Sequence, residues 1–336
     1  MKSGLNSMFL RLSLIALLVG VVQLAGIGPA FAGQTYTIKM ATVGNPGDSL
    51  VKFFEYFGAE IEKRSNGVIK TELFQSSQLG AHRDYIDGLQ IGSIQMAEMA
   101  SSVVATVDTA FSIFDMPYIS PNEQDQWETL KAGADKILTD SLLKKAGIRV
   151  VGWVVRTPRN VYSSKGSILS AADFKDLKIR TMESQPMLRA MQLLGAKATP
   201  IPANERYLAL QTRVVDAAEN NSGEIYFKKE YEVTKYLSKT SHIIQPNVYC
   251  IGEAFFATLP ADMQKLVLEV GREASEVATK FDFDSVDEIE AFLAKDGGMI
   301  ITDIPDKSDF VRILQPLYQE YAGAIGQDLM NMFLKK

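Results

Sequence analysis

Apolar and polar side chains alternate through Tyr36, Thr37, Ile38, Lys39, Met40 and Ala41, the two-residue period of a strand. The cluster Gly44, Asn45, Pro46, Gly47 and Asp48 ends it. Asp48 or Ser49 is placed to cap a helix whose apolar residues, Leu50, Phe53, Phe54, Phe57 and Ile61, recur at helical spacing, and Asn66-Gly67 closes that helix. A second strand over about 68–74 completes a β–α–β unit, which opens a parallel sheet. Beyond the loop at 76–80, Tyr85, Ile86 and Leu89 mark a short helix, and 94–99 reads as a further strand. Residues 148–155 are almost wholly apolar, as expected of a strand buried on both faces. They run into Arg156, Thr157, Pro158 and Arg159, which sets two arginines at the carboxyl end of that strand.

The segment 177–221 carries the most information. A short apolar run (Leu177, Ile179) precedes Arg180, and a second (Val214, Val215, Ala217, Ala218) leads through Glu219 to Asn220, with helical pattern between them. Ligands of open α/β sheets sit at the carboxyl ends of strands, so two polar side chains leaving two strand ends predict a binding cleft. Arginine is the side chain whose planar fork grips a carboxylate with two parallel hydrogen bonds. From Asp262 onward, Met263, Leu266, Val267, Val270, Ala274, Val277 and Phe281 fall at helical spacing and predict one long amphipathic helix. Polar residues at the other heptad positions argue against a coiled coil.

The amino terminus changes where this cleft operates. Lys2 and Arg11 precede an apolar stretch from 12 to 25, and Ala30-Phe31-Ala32 follows as a small-x-small cleavage site. Residues 1–32 therefore read as a secretory signal peptide, with the mature chain starting near Gly33. Its removal takes away two basic and no acidic side chains, leaving 33 basic against 40 acidic. Such a balance does not favour nucleic acid or anionic lipid. Any anionic solute must be held by local arginines against the overall field. The single cysteine, Cys250, lies between Tyr249 and Ile251 and reads as a small core residue that can form no internal disulfide. About 300 mature residues exceed what one hydrophobic core usually serves, so two domains are expected. The two histidines and one cysteine stand in separate contexts. No metal-ligand spacing, nucleophile elbow, phosphate loop or dinucleotide fingerprint accompanies them. Neither cofactor nor metal is expected, and no catalytic residue is assigned. An arginine-anchored acid beside a glutamate base is the one enzymatic alternative, a lyase or racemase.

LKIR at 177–180, ALQTRVVDAAEN at 209–220, YEVTKYLSKTSHI at 231–243, and SSQLG at 76–80 followed by Arg83 together resemble the solute-binding proteins of TRAP transporters, the tripartite ATP-independent periplasmic carriers of organic acids. The resemblance implies an α/β fold: a two-lobe periplasmic clamshell, each lobe a mostly parallel sheet flanked by helices, with a long helix spanning both. It implies lobe I over 33–157 plus 246–285 and lobe II over 158–245 plus 286–336. It further implies a periplasmic protein, expected to be a monomer, that delivers a small organic acid to integral membrane permease subunits. A receptor that docks to a signalling partner instead would use the same clamshell.

By the same resemblance Arg180 is the carboxylate clamp. Arg159 is the second arginine directed at the solute, and Arg156 is its rival for that role. Asn220 matches an amide beside the clamp, although an Asx turn capping the next helix explains it equally, and Asn221 serves if the register slips by one. His82 and Glu98 are candidates from the first lobe. Glu98, mid-strand, needs a partner, either a solute hydroxyl or a nearby arginine. His242 reads as structural. Ala203 stands where sialic-acid binders of the family carry a phenylalanine and Ala100 where they carry a glutamate, which disfavours a nine-carbon solute. A sugar acid, hydroxy acid, keto acid or dicarboxylate remains.

Overall fold

Strands β1 (Tyr36–Ala41) and β2 (Ile69–Phe74) pair in parallel, with Tyr36 opposite Ile69 and helix α1 (Ser49–Arg64) between them in sequence. This is a computed structural model, and it describes residues 34–334; the proposed signal peptide lies outside the described residues. Asp48 caps α1 by accepting the Leu50 N–H at 3.1 Å, and Leu50, Phe53, Phe54, Phe57 and Ile61 are all buried, as their spacing predicted. Asn66 (φ 50°) and Gly67 (φ 77°) turn the chain out of the helix through left-handed backbone, which glycine adopts without steric cost.

Two sheets form. The first has the order β2-β1-β3-β10-β4, where β3 is Met96–Ala100, β4 is Ile148–Val154 and β10 is Asn247–Gly252. The second has the order β11-β9-β5-β8-β6-β7, where β5 is Arg159–Ser163, β6 Lys178–Thr181, β7 Lys197–Pro200, β8 Ala217–Asn220, β9 Tyr236–Ile243 and β11 Ile300–Asp303. Within each sheet the neighbours are parallel except around one strand. β10 runs antiparallel to β3 and β4, and β5 runs antiparallel to β8 and β9. These are the two strands the chain enters immediately after crossing from the other sheet, at 155–158 and 244–246.

A third crossing is helical. Helix α5 (Ala261–Lys295) packs on α1 and β4 beside the first sheet and on α4 (Ser222–Phe227) beside the second. At about 1.5 Å per residue it is long enough to span both. Ser275 and Thr279 on this helix accept the N–H groups of Trp153 (3.0 Å) and Val155 (3.2 Å), satisfying edge-strand donors. Gly271 is required where the helix meets β4, since a Cβ there would lie 2.2 Å from the Val151 carbonyl oxygen. One residue of the expected apolar face is corrected: Val277 is 42% exposed, and Ala278 takes the buried position. The hydrophobic-only count missed that the buried stripe also contains Ser275, Thr279 and Asp282, whose polar groups serve β4 and the crossing. Cys250 is buried and free. Near the end of the chain, Phe333 packs edge-on against Phe114 and Tyr318 donates to the Pro117 carbonyl.

Candidate functional site

The end of β8, the start of β5 and the crossing at 244–246 converge with the amino terminus of helix α2 (His82–Ile91) on a cavity of about 30 Å³ between the sheets. That is room for about two waters. Its wall includes His82, Arg156, Arg159, Arg206, Asn220 and Glu224. A larger cavity of about 480 Å³ lies elsewhere, among Trp127, Leu130, Trp153 and Leu268, but it is mostly apolar. Two buried polar atoms without a hydrogen-bond partner, His82 Nε2 and Glu224 Oε1, belong to the wall of the smaller one, and none of those in the described residues belongs to the wall of the larger.

Three buried arginines line this cavity, a fourth, Arg180, lies near two of them, and their partners differ. Arg159 commits all five of its N–H donors: Nε and Nη2 to the Glu219 carboxylate (2.5 and 2.8 Å), Nη2 also to the Glu219 carbonyl (2.7 Å), and Nη1 to Asn220 (2.8 Å) and Gln245 (3.1 Å). Arg156 pairs with Asp282 (2.5 Å) and Asp48 (3.1 Å). Arg206 pairs with Glu230 (2.7 Å) and Glu224 (3.0 Å). Arg180, within β6 and 1% exposed, donates Nε to the Ile201 carbonyl at 2.7 Å, leaves Nη1 without a partner, and enters no ion pair among the described residues. Burial, with the charges of Arg206 and Arg159 beside it, brings its guanidinium down to about 10. Arg180 does not itself line the cavity, which Met182 on the same segment and Asn220 reach.

Several strand-end expectations shift. Arg159 is the first residue of β5 and so stands at a strand's amino end, while Arg156 alone follows the end of β4. The sequence run through Thr157-Pro158 concealed that the chain changes sheet there. The strand before Asn220 is shorter than its apolar run: Arg213 takes φ 61°, Val214 is 61% exposed, and β8 begins only at Ala217. Asn220 is therefore the last residue of the strand. Its Oδ1 accepts from Arg159 and from the Asn221 N–H, and Asn221 is the residue that caps α4, accepting the Glu224 N–H at 2.9 Å. The Asx-cap reading belongs to the neighbour.

His82, expected to be solvated if it lacked a site role, is 6% exposed and lies 3.3 Å from Glu98. Glu98 also accepts from Thr42 (2.9 Å) and Asn247, so its partners are a histidine, a hydroxyl and an amide in place of an arginine. Burial opposes its charge, yet His82, Thr42 and Asn247 hold the carboxyl below the usual range. Glu98 stands behind His82 and does not reach the wall. His242 bonds Thr240 and lies 3.7 Å from Glu219. Burial likewise opposes the charge of Glu219, but Arg159 and His242 hold it at about 2. Ala100 and Ala203 both line the cavity.

Sequence reasoning missed Arg206, Glu224 and Gln245. Arg206 begins a short helix and looks like a solvated first-turn residue, with nothing nearby to signal its burial. Glu224 follows Asn221 by three positions, the spacing of a helix-capping pair, which hides its side chain's turn toward Arg206. Gln245 follows the crossing strand and bridges Arg159 and Asp115, accepting from one and donating to the other at 3.0 Å.

Two α/β sheets joined by three crossings around a buried polar cavity define the class of two-lobe binding proteins. The chain belongs to the bacterial extracellular solute-binding protein family 7, whose description matches residues 40–324. The resemblance to TRAP solute-binding proteins is thereby borne out, and the members of this family are receptors. The chain is 28% identical over 279 residues to the 2,3-diketo-L-gulonate-binding periplasmic protein YiaO of Escherichia coli, covering 83% of this chain and 81% of that protein. A TRAP periplasmic solute-binding protein of a Sulfitobacter species, solved with bound β-D-galacturonate, superposes with a TM-score of 0.85 at 25% identity, over 89% of this chain and 100% of the other. One from Sulfurospirillum deleyianum, solved with succinate, gives 0.83 at 26% identity, over 90% and 99%. No helix among the described residues is long and apolar enough to cross a membrane.

Proposed function

We propose that this chain is a periplasmic receptor that captures a small organic acid between its two sheets and hands it to the integral membrane subunits of a TRAP transporter. The observation that carries this reading is Arg180: of the four arginines, it has no carboxylate within ion-pair distance among the described residues. A buried cation without an anion is costly, and a solute carboxylate would remove that cost while using the open Nη1 donor. Galacturonate and succinate in two similar proteins support an acid as the solute class. Arg159, with every donor committed, acts as a positioning residue. It holds Asn220 by its Oδ1, so that the Nδ2 group is the one offered to the solute. His82 contributes from the first lobe, with Glu98 orienting it, and Arg156 holds the crossing.

The lobes are 33–157 with 246–285 and 158–245 with 286–336. They part at the two strand crossings while α5 flexes, which is the hinge arrangement of a clamshell. A cavity of about 30 Å³ admits no organic acid, so capture requires opening. Opening breaks contacts that now tie the lobes, among them Asn45 to the Phe227 carbonyl (2.8 Å) and Lys228 to the Val43 carbonyl. Closure around the acid restores them and presents the surface that the membrane subunits read. Calorimetry of the mature protein against sugar acids, hydroxy acids, keto acids and dicarboxylates, with Arg180→Ala alongside, tests the reading. One acid binds, and the variant weakens it about 10- to 100-fold or more. Equal binding by the variant, or no binding by any acid, overturns it.

A further inference from the structure

Among the four arginines one is left without a carboxylate, and among the residues lining the cavity one carboxylate oxygen is left without a donor. Arg156 is matched by Asp282 and Asp48, Arg159 by Glu219, and Arg206 by Glu230 and Glu224. Arg180 alone is unmatched. The idle acceptor is Glu224: Arg206 holds its Oε2 at 3.0 Å, while Oε1 has no hydrogen-bond partner and lies 3.9 Å from Arg156. Glu224 is 6% exposed and lines the cavity. Burial opposes its charge, but Lys228, Arg206 and Arg156 hold the carboxyl well below its usual range. A buried carboxylate oxygen without a donor is as incomplete as a buried guanidinium without an anion.

We infer that Glu224 is a specificity-determining residue: its Oε1 accepts a hydroxyl proton from a solute whose single carboxylate is held by Arg180, and its charge turns away a second carboxylate. This rests on the reading of the cavity as an acid-binding site. A dicarboxylate would bring two negative charges to a site with one uncommitted arginine, and its second carboxylate would face Glu224. A hydroxy acid of the same length meets both needs: the acid completes Arg180, and the hydroxyl completes Glu224. Backbone placement makes the acceptor rigid, because the Glu224 N–H is fixed by Asn221 and Arg206 fixes the other oxygen.

The test uses matched pairs that differ only in a terminal hydroxyl or carboxylate: 4-hydroxybutyrate against succinate, and galactonate against galactarate, titrated by calorimetry into the mature wild type, Glu224→Gln and Arg180→Ala. In the pair that binds, the wild type favours the monocarboxylate about tenfold or more. Glu224→Gln narrows that ratio by strengthening the dicarboxylate, because the amide keeps an acceptor and loses the charge. Equal or tighter wild-type binding of the dicarboxylate overturns the inference, and this arm needs no variant to fold. So does a Glu224→Gln protein that weakens both members equally, which would mark a purely structural ion pair. Arg180-dependent binding of a keto acid without a hydroxyl, with neither pair bound, overturns the inference and leaves the acid-binding reading standing. Absence of any Arg180-dependent binding removes both.

Discussion

The crossing at Arg156 and the strand end at Arg180 each bury an arginine almost completely, at 2% and 1% exposure, and treat it in opposite ways. At the crossing the guanidinium lies between Asp282 from the long helix and Asp48 from the cap of α1, and Asp282 also accepts the Thr157 N–H at 2.8 Å. Asp282 supplies the counter-charge, burial pushes Asp48 up to about 7 in spite of Arg156, and the contacts tie three segments together. At the strand end the guanidinium has a backbone carbonyl on Nε and an unmatched Nη1. Burial of arginine is therefore no sign of a site. If Arg180 holds the solute as proposed, the sign is instead the valence that remains after the protein's own partners are counted.

The contrast predicts that stability and binding respond inversely at the two positions. Arg156→Leu leaves Asp48 and Asp282 buried without their cation and should cost about 3–5 kcal/mol of unfolding free energy. Arg180→Leu removes a buried charge that has no counter-ion, so urea unfolding should find stability unchanged or raised. Its effect belongs to solute affinity, a loss of about 1.5–3 kcal/mol. The distinction collapses if Arg180→Leu unfolds as readily as Arg156→Leu, or if Arg156→Leu is fully stable.

Asp115 extends the comparison to an acid. It accepts from Ser184 (2.6 Å), from Gln245 (3.0 Å) and from Ser102, and Arg159 lies near enough to favour its charge. Burial outweighs all of these and pushes it up to about 6. The unfolded chain holds that proton only to about pH 4. Between about pH 4 and 6 the native state binds a proton that the unfolded state has lost, so this group's contribution to stability falls as pH rises, by about 3 kcal/mol over the window. Glu219 has the opposite sign, because its carboxyl is held down to about 2: its contribution is present above its unfolded value and is lost as pH falls. Unfolding measured at both ends of the window should show Asp115→Asn gaining on the wild type as pH rises. A constant difference between the two proteins would mean that Asp115 is ionised in the fold.

Much of this was legible beforehand, for identifiable reasons. Strand and helix periods located β1, α1, β2 and the long helix because their apolar residues serve a single face. Arg180 and Asn220 stood out as candidates because they end apolar runs. What escaped was the outcome of long-range pairing. Arg159 and Glu219 are 60 positions apart, and their five-donor arrangement exists only because β5 and β8 lie side by side. Glu224 carries the spacing of a cap residue, and local pattern accounts for it completely until Arg206 is seen beside it. His82 reads from sequence as a site candidate or else a solvated helix-start histidine, and only its closeness to Glu98 from β3 explains the burial. Val277 and Ala278 exchanged places because the buried stripe of the long helix includes polar residues that hydrophobic counting leaves out.

The smallest expected effect comes from a charge pair that also joins residues on either side of the cleft. Arg83, at the start of α2, reaches Glu183 just beyond β6 at 2.9 Å, and their side chains are 58% and 20% exposed. Water already solvates this arginine, so its carboxylate partner replaces hydration instead of rescuing a buried charge. Exposed pairs of this kind contribute about 0–1 kcal/mol and are screened by salt. Arg83→Ala should therefore change solute affinity by about fivefold at most, with the difference fading as ionic strength rises. Its remaining influence would fall on the rate of association, where rim charges act on approach and closure. A loss as large as that of Arg180→Leu, persisting in high salt, would show that unmatched valence is not what distinguishes the site and that a solvated cross-cleft contact governs capture.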